Sequence, residues 1–375
     1  MRIAINTRFL LDNKLEGIGW FTYEISKRLV EQHPEHTFVF LFDRPYSEAF
    51  VFGPNVIPVV LNPPARHPFL FIAWFEFAVA RALKMYKADV FFSPDGFLSL
   101  RTRVPTLLAI HDLAYAHFPE QLKWRDLQYY KYFMPRFARK ASKIVAVSSF
   151  TKQDIETQFG INPKKIDVVY NGCRSFLEPV SDLIKKRIKA KYSADEDYFL
   201  FVGAIHPRKN VHRLIQAFDI YKTQTKSKTK LLLGGRFAWQ VGAVKDAFDA
   251  SPYQADISFL GYLDIETLHY LTASAVAMTY VSTFEGFGVP LLEAMYCDVP
   301  SITSTSSSMP EVVGDAGICV APEDIQGVGD AMQKIEQNIT FRNELIARGR
   351  VQRKQFDWDI SANQIWDKLL EISEL

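Results

Sequence analysis

Short apolar runs alternate with longer amphipathic stretches over the first 170 residues of the chain. Amphipathic stretches such as Gly19–Val30 and Lys123–Lys140 separate the apolar runs. Strands that alternate with helices predict βαβ units, and therefore a parallel sheet covered by helices. The predicted strands are Ile3–Asn6, Phe38–Phe42, Val90–Ser93, Pro105–Ile110, Ile144–Val147 and Ile166–Tyr170.

A second series of apolar runs begins near residue 198. Between the two series, residues 174–197 are polar and charged, and they include the basic run Lys185–Lys189. This stretch is expected to be a connector that carries a helix. The chain is therefore predicted to form two α/β domains, residues 1–173 and 198–356, that face a central cleft. The strands of the second domain are predicted at Tyr198–Gly203, Lys230–Gly234, Ile257–Gly261, Val276–Tyr280 and Val299–Thr303.

Composition agrees with a globular protein of two domains. The chain has 375 residues, of which 48% are hydrophobic, and its net charge of +2 gives no general attraction for a nucleic acid. The three cysteines are scattered, so neither a disulfide framework nor a metal site is expected. The first residues resemble a strand and not a signal peptide, and no apolar run reaches 18 residues. We expect a cytoplasmic protein without a membrane span.

The segment Ser282–Glu293 carries the most specific chemistry. Glu285 belongs to a glycine-rich turn that ends at Gly288, and Pro290 stands where a helix is expected to begin. The free N–H groups at a helix start suit a phosphate, and glycines let the backbone approach it. The segment predicts a carboxylate near a sugar, a helix end for a diphosphate, and a second carboxylate, Glu293, near a ribose. The alternative is an ordinary loop-to-helix junction.

Further candidate residues follow other predicted strands. Gly17 and Gly19 follow the first strand, His111 follows the strand that ends at Ile110, and Lys209 follows the first strand of the second domain. Ligands of open parallel sheets bind at the carboxyl ends of the strands, so these positions predict one shared site. The alternatives are a packed histidine at a strand end for His111 and a solvated loop cation for Lys209.

Taken in order, these motifs resemble the retaining glycosyltransferases of group 1, family 4, which have the GT-B architecture of two Rossmann-like domains. The resemblance covers nearly the whole chain. It includes Phe356–Trp358, which in that family introduces a last helix that returns to the first domain, here residues 357–375. The matching stretches are Glu16–Gly19, Ile110–Leu113, Phe118–Glu120, Val147–Lys152, Val169–Gly172, Phe201–Gly203, Pro207–Asn210, Glu285–Glu293 and Ser307–Gly314.

The resemblance implies a role for each matching residue. Glu285 is similar to the glutamate that contacts the transferred sugar, and Glu293 to the one that holds the ribose. Lys209 is similar to the lysine that neutralises the donor diphosphate, and His111 to a histidine near the donor sugar. The backbone of two glycine-rich turns is expected to meet the phosphates. Those turns contain Gly17 and Gly19 in the first domain, and Gly286, Phe287 and Gly288 in the second.

One position departs from the family pattern. Many members have an arginine directly after the glycine that corresponds to Gly203, whereas this chain has Ala204. Arg208 is a candidate for the missing positive charge, because a planar guanidinium suits a phosphate. The alternative is that the Arg208 side chain points away from the donor.

Metal ions and cofactors are not expected in the reaction. The triplet Asp195–Asp197 lies in the predicted connector, and Asp357–Asp359 precedes the last helix, where aspartate is a good N-cap. The resemblance implies a front-face mechanism with retention, in which the departing phosphate helps to deprotonate the acceptor.

The aromatic segment Arg66–Phe77 has two interpretations. With the basic residues Arg136, Arg139, Lys140 and Lys143, it is a candidate for contact with a lipid-linked acceptor or an anionic membrane. The favoured interpretation is an aromatic core helix beside a solvated basic helix, because apolar residues at helical spacing usually pack inward.

The sequence as a whole predicts a retaining hexosyltransferase that uses a nucleotide diphosphate sugar, either GDP-mannose or a UDP-sugar. The form of Pro207–Asn210 resembles mannosyltransferase-like members that make bacterial surface polysaccharide, which favours mannose. The expected acceptor is a glycan or a lipid-linked saccharide at the inner face of the membrane. The alternatives are a nucleotide-sugar 2-epimerase of the same architecture and a non-catalytic GT-B binding subunit.

Overall fold

A computed structural model describes residues 1–12, 15–65 and 68–374, with only the backbone at residues 68 and 69. Contacts divide the chain into two compact units. The first unit contains Met1–Asn171 and Asp357–Leu375, and the second contains Gly172–Phe356. The alternation of strands and helices that the sequence predicts is confirmed in both units.

The first unit is built on a seven-stranded parallel sheet with the order β3-β2-β1-β4-β5-β6-β7. Its central strands are almost completely buried, which explains their nearly continuous apolar sequence. The strands are β1 (Arg2–Asn6), β2 (Thr37–Phe42), β3 (Val56–Val60), β4 (Val90–Ser93), β5 (Thr106–Ile110), β6 (Lys143–Ala146) and β7 (Ile166–Val168).

Strand β3 was not among the strands that the sequence predicted for this unit. It lies at the edge of the sheet, where Pro58 pairs with Phe40 of β2. Ile57 and Val60 are each 40% exposed. A proline within an apolar run argues against a central strand, but an edge strand tolerates it because one side of its backbone needs no ladder partner.

Helices cover the sheet of the first unit. Helix α1 buries Phe21, Ile25 and Leu29, which recur at the spacing of one helical face. The helices of this unit are α1 (Gly17–Gln32), α2 (Pro68–Ala73), a π-helix (Trp74–Val79), α3 (Ala80–Met85), α4 (Ala114–His117), α5 (Trp124–Lys140), α6 (Ser149–Phe159) and the last helix of the chain, α15 (Trp358–Ser373).

The return of the C-terminal helix to the first unit is confirmed. Helix α15 packs against α1, β4 and β5 and buries Ile365 and Leu369. Asp357 caps it, since the Asp357 carboxylate accepts hydrogen bonds from the Asp359 and Ile360 amides at 2.6 and 3.3 Å. No group of three His, Cys, Asp or Glu residues in the described part of the chain is arranged to hold a metal ion.

Of the aromatic segment Arg66–Phe77, Arg66 and His67 lie outside the described residues. Trp74 and Phe75 are buried in the core of the first unit, whereas Phe77 is 55% exposed. Among the basic residues, Lys143 pairs with Glu371 at 2.9 Å. No helix in the described ranges is long and apolar enough to cross a bilayer.

The second unit has a six-stranded parallel sheet with the order β10-β9-β8-β11-β12-β13. The edge strand β13 was not predicted from the sequence. Its four residues are all half-buried, so its sequence shows no clear alternation of buried and exposed positions. The strands are β8 (Tyr198–Val202), β9 (Lys230–Gly234), β10 (Ile257–Gly261), β11 (Ala277–Tyr280), β12 (Ser301–Ser304) and β13 (Gly317–Val320).

Eight α-helices surround this sheet within the described residues. Residues 174–197, the predicted connector, contain α7, which packs against α10. The helices are α7 (Asp182–Tyr192), α8 (Val211–Thr225), α9 (Gly242–Ala250), α10 (Ile265–Ser274), α11 (Val289–Tyr296), α12 (Met309–Val313), α13 (Ile325–Gln337) and α14 (Ile339–Gln352).

Candidate active site

The turn after β8 positions Lys209 in the second unit. A short 3₁₀ turn, Pro207–Lys209, leads into Asn210, which has a left-handed backbone with φ of 58°. The Asn210 side-chain amide donates hydrogen bonds through Nδ2 to the backbone oxygens of Val281 and Pro322 at 3.0 and 2.7 Å. Because Val281 follows the neighbouring strand β11, this clamp holds Lys209 beside the residues that come after β11.

Two glycines allow this turn to approach the next strand end closely. A Cβ atom at Gly235 would lie 1.9 Å from the Gly203 backbone oxygen, and both residues have positive φ angles, 144° and 151°. A Cβ at Gly203 itself would lie 3.7 Å from the Cε atom of Lys209. The Lys209 side chain therefore packs against Gly203, and a side chain at position 203 would contact it.

Lys209 forms an ion pair with Glu285. The Lys209 ammonium donates a hydrogen bond of 2.6 Å to Glu285 Oε1, and it also donates to the hydroxyl of Tyr280. All three side chains are largely buried. Sequence analysis did not single out Tyr280; its place as the last residue of the predicted strand before the Glu285 turn was the available signal.

The charges in this cluster support one another. Burial opposes ionisation of Glu285, but Lys209 and Arg208 outweigh it, so the pKa of Glu285 lies below its usual value. Burial also disfavours the charged form of Lys209, yet Glu285 and Tyr280 raise the Lys209 pKa. Burial raises the pKa of Tyr280 to about 12. The cluster is therefore an ionised carboxylate, an ammonium and a neutral phenol at neutral pH.

Two serines hold the glycine-rich turn in shape. The Glu285 amide donates to Ser307 Oγ at 2.9 Å, and the Ser308 hydroxyl donates to the backbone oxygens of Glu285 and Phe287 at 3.0 and 2.8 Å. The sequence placed these serines in the matching stretch Ser307–Gly314 but assigned them no contact. The Phe287 side chain packs on Phe356, so the prediction of donor contact concerns the Phe287 backbone.

The helix start predicted from Pro290 is confirmed. Gly288 adopts φ of 101° and precedes α11, and Pro290 lies in the first helical turn. Gly288 thus supplies a conformation that other residues rarely adopt, immediately before a set of N–H groups that can face an anion.

Glu293 forms a second ion pair, which the sequence analysis missed. Its Oε1 atom accepts a hydrogen bond from Nη2 of Arg174, and the side chains of Arg174 and Glu293 are only 16% and 6% exposed. Burial, together with the Glu293 charge, raises the pKa of Cys173 and of Cys297, so both neighbouring thiols are protonated. No sequence motif pointed to Arg174, which is 119 residues away from Glu293.

Arg208 lies next to the Glu285 turn. Its backbone oxygen accepts hydrogen bonds from the Thr283 amide and hydroxyl at 2.9 and 3.1 Å. The guanidinium carbon lies 5.9 Å from the centre of the Phe284 ring, and its charge contributes to the low pKa of Glu285. Positive charge is thus present near Glu285 although position 204 is alanine. Contact between Arg208 and a donor stays a prediction.

In the first unit, His111 follows β5 and has a defined tautomer. Its Nε2 atom lies 2.7 Å from the Pro94 backbone oxygen, which only accepts, so Nε2 carries the proton and Nδ1 has a lone pair. Burial lowers the His111 pKa more than Asp112 and Asp95 raise it, which keeps the ring neutral. The ring meets Phe21 of α1 edge-on, with centres 5.0 Å apart. Neutral His111 can therefore accept a hydrogen bond from a hydroxyl.

The two predicted glycines at the start of α1 differ in their surroundings. Gly17 is the first residue of the helix, and a Cβ atom there would meet no neighbour within 4 Å. A Cβ at Gly19 would lie 2.9 Å from the Phe9 backbone oxygen. Gly19 is thus needed for packing, whereas Gly17 leaves the helix start open.

A buried charge pair at the same sheet edge was also missed. Asp95, which follows β4, accepts a hydrogen bond from Nε of Arg8, which follows β1. The Arg8 guanidinium stacks over Phe9 and Phe71, with distances of 4.4 and 4.8 Å to the ring centres. Polar residues directly after two predicted strands were the available signal.

The predicted site residues fall into two groups. Gly17, Gly19 and His111 belong to the first unit. Arg208, Lys209, Glu285 and Glu293 belong to the second, together with the turn from Gly286 to Gly288. Within the second unit the structure joins Lys209 and Glu285 directly and gives Glu293 its own cation.

Comparison with known families finds two matches that together cover most of the chain. Residues 184–352 match the model for glycosyl transferases group 1, and residues 15–174 match the model for glycosyltransferase family 4. The O-antigen chain mannosyltransferase B of Escherichia coli is 30% identical over an alignment of 369 positions, which covers 93% of this chain and 94% of that protein. The O-antigen chain mannosyltransferase RfbU of Salmonella typhimurium is 27% identical over 64% of each chain.

Solved structures share the architecture. Anabaena Alr3699/HepE in complex with UDP-glucose matches with a TM-score of 0.78 and 17% identity, over 99% of this chain and 100% of that one. WaaG, a glycosyltransferase involved in lipopolysaccharide biosynthesis, matches with a TM-score of 0.76 and 15% identity, over 98% and 99% of the two chains. At this identity the likeness establishes the fold. The chain therefore belongs to the group 1 glycosyltransferases and is a hexosyltransferase with the GT-B architecture.

Proposed function

We propose that this enzyme transfers mannose, with retention, from a nucleotide diphosphate sugar to a glycan or lipid-linked saccharide during synthesis of a bacterial surface polysaccharide. The favoured donor is GDP-mannose, a UDP-sugar is the alternative, and the reaction takes place at the inner face of the membrane. The observation that carries the proposal is the 30% identity to O-antigen chain mannosyltransferase B over nearly the full length of both chains. Because the matching family models describe glycosyltransferases, we favour this activity over a 2-epimerase or a non-catalytic subunit.

Lys209 is the residue proposed to bind the donor diphosphate. An ammonium has three N–H donors, and Glu285 and Tyr280 accept two of them. The third can reach a phosphate oxygen without breaking the ion pair. The N–H groups at the start of α11 supply further donors. Because negative charge grows on the diphosphate as the sugar–phosphate bond breaks, donors held in advance stabilise the transition state.

Glu285 and His111 are proposed to orient the transferred sugar. Glu285 is ionised and held by Lys209, so it can accept hydrogen bonds from sugar hydroxyls in a fixed direction. His111 is neutral and offers the Nδ1 lone pair to another hydroxyl. A carboxylate paired in this way is a weak nucleophile. This favours the front-face route, in which a departing phosphate oxygen takes the proton of the acceptor hydroxyl. The oxygen of that hydroxyl attacks the anomeric carbon at the same time.

The proposal is tested by donor binding and transfer. A thermal-shift panel of GDP-mannose and UDP-, ADP- and dTDP-sugars should show the largest stabilisation with GDP-mannose, since a ligand of the folded state raises its stability. Lys209→Met should lower the rate of transfer by about 10²- to 10³-fold, the usual cost of losing one donor to a developing oxyanion. Glu285→Gln should lower the rate as well, because it removes the charge that holds Lys209 and that accepts from the sugar hydroxyls.

Lys230→Met is the matched control. Lys230 also forms a lysine–carboxylate pair, with Asp256, but it stands at the opposite end of the sheet of the second unit. This variant should keep the wild-type rate of transfer. An equal loss in Lys230→Met, an inverted anomeric configuration of the product by NMR, or loss of activity with EDTA that only a metal ion restores would contradict the corresponding part of the proposal.

A further inference from the structure

We infer that Arg174 is a positioning residue for the donor: it holds Glu293 so that this carboxylate can bind the vicinal diol of the nucleotide ribose. This inference rests on the proposed function, because it assumes that the enzyme binds a nucleotide diphosphate. It assigns a role to a residue that no motif of the sequence identified.

The buried Glu293 carboxylate needs a compensating positive charge. Its side chain is only 6% exposed, and a carboxylate removed from water is stable as an ion only if a cation and hydrogen-bond donors compensate the loss of solvation. Arg174 supplies both through its hydrogen bond to Oε1. The neighbouring Cys173 and Cys297 are protonated thiols, which carry no charge to compensate it. Arg174 therefore gives the buried Glu293 carboxylate both a compensating charge and a hydrogen-bond donor.

The Glu293 carboxylate can accept further hydrogen bonds beside the one from Arg174. Within the described residues, the Glu293 carboxylate accepts a hydrogen bond from Arg174 alone, at Oε1. A carboxylate has about four lone-pair directions, so Oε2 and one direction of Oε1 are available. A ribose presents two hydroxyl donors on adjacent carbons, which suits two oxygens of one carboxylate. The arginine thus fixes one oxygen and leaves the other for the ligand.

The two glutamates of the motif are held in the same way, each by one cation. Glu285 is held by Lys209 from the turn after β8, and Glu293 is held by Arg174 from the segment before α7. Each acidic group is thus oriented by a cation from a different part of the second unit. Glu285 serves the sugar end of the proposed donor, and Glu293 serves the ribose end.

A purely structural role for Arg174 makes a different prediction. If Arg174 only stabilised the fold, its removal would weaken all nucleotides alike. If it acts through Glu293 on the ribose, its removal should abolish only the part of the affinity that comes from the ribose hydroxyls. Comparison of a nucleotide with its dideoxy analogue separates these two cases.

The experiment is calorimetric titration with GDP, UDP and their 2′,3′-dideoxy analogues. Hydrogen bonds to a charged group predict that the wild type binds the ribose form about 10- to 100-fold more tightly than the dideoxy form. Arg174→Met should bring this ratio close to 1 and leave the dideoxy affinity unchanged within about 2-fold. Glu293→Gln should lower the ratio as well.

Two further variants keep the test decisive. Arg174→Lys retains the charge if Arg174→Met does not fold, and it should give an intermediate ratio because lysine lacks the planar fork. Arg350→Met removes an exposed arginine–aspartate pair of the same unit, with Asp298, and should keep the wild-type ratio.

The outcomes distinguish the inference from the proposed function. A wild-type ratio in the Arg174 variants, or equal weakening of the ribose and dideoxy forms, would overturn the inference while nucleotide binding stands. Failure of the wild type to bind any of the four nucleotides would overturn the proposed function, and the inference with it.

Discussion

At the scale of single residues, the site depends on charges that are buried in pairs. Glu285 and Glu293 are both largely buried, and each pairs with one cation, Lys209 or Arg174. Removing one partner of such a pair is costly, because it leaves an uncompensated charge out of water. The pairs therefore fix the position of both carboxylates before any ligand arrives.

Single glycines at the start of α1 should differ in their tolerance of a side chain. Gly19→Ala places a Cβ atom 2.9 Å from the Phe9 backbone oxygen. We expect overpacking to lower the free energy of unfolding by about 1–3 kcal/mol. The higher helix propensity of alanine offsets at most about 1 kcal/mol of this cost. Gly17→Ala meets no neighbour and should not destabilise the unit. Hydrogen exchange of the α1 and β1 amides measures both, and equal protection in the two variants would contradict the prediction.

At the scale of elements, short segments after strands hold the site, and side chains from other segments hold those in turn. Ser307 and Ser308 bind the backbone of the Glu285 turn, and Asn210 binds the backbone after β11. These bonds satisfy polar groups that would otherwise be buried without partners. The glycine-rich turn is therefore supported from a neighbouring loop, which suits a site that must keep its N–H groups directed at an anion.

The N-cap of α15 provides a prediction for one element. Asp357→Ala removes the acceptor for the Asp359 and Ile360 amides and should cost about 1 kcal/mol of stability in the first unit. The matched control is Asp367→Ala, an exposed position within the same helix, which should change stability by less than about 0.5 kcal/mol. Hydrogen exchange of the α15 amides compares the two, and similar losses would show that the cap does not contribute.

At the scale of the whole molecule, the chain builds its first unit from both of its ends. Helix α15 packs on α1, and Asp359 of α15 accepts a hydrogen bond from Arg28 of α1 at 2.6 Å. The second unit is one continuous segment, Gly172–Phe356, with a sheet of its own. Stability of the first unit therefore depends on residues that follow the whole second unit in the sequence.

Stability of the molecule should fall in mild acid because two histidines are buried without charge. Burial lowers the pKa of His206 to about 4, and Lys209 and Arg208 contribute; burial also lowers the pKa of His111. An unfolded histidine binds a proton near pH 6.5. Between about pH 6.5 and 4 the unfolded chain therefore binds more protons than the folded protein, and the free energy of unfolding decreases as the pH falls.

Chemical denaturation at a series of pH values measures this effect. His206→Phe retains an aromatic ring to stack on Trp239, which lies 5.2 Å from the His206 ring centre, but it cannot titrate. Its stability should depend less on pH in this window than that of the wild type. Glu285→Gln changes a different window, below pH 4.5, because the lowered pKa of Glu285 stabilises the folded protein above that pH. Equal slopes for His206→Phe and wild type would contradict the assignment.

The sequence by itself determined the two sheet-and-helix units, the start of α11 and the cap of α15. It did so because apolar periodicity, proline and capping residues act over a few neighbouring residues. The edge strands β3 and β13 were not predicted because most of their residues are partly exposed, and because β3 contains Pro58. A pattern that reports burial is weak where burial is incomplete.

Only the tertiary structure decided which charges meet. Lys209 and Tyr280 are 71 residues apart, and Arg174 and Glu293 are 119 residues apart. The first pair forms because β8 and β11 are neighbours in the sheet, which brings the turn after β8 to the end of β11. The second pair forms because the segment before α7 lies against helix α11. Local sequence patterns report the nature of each residue, but its partner across the sheet depends on how all the strands are arranged.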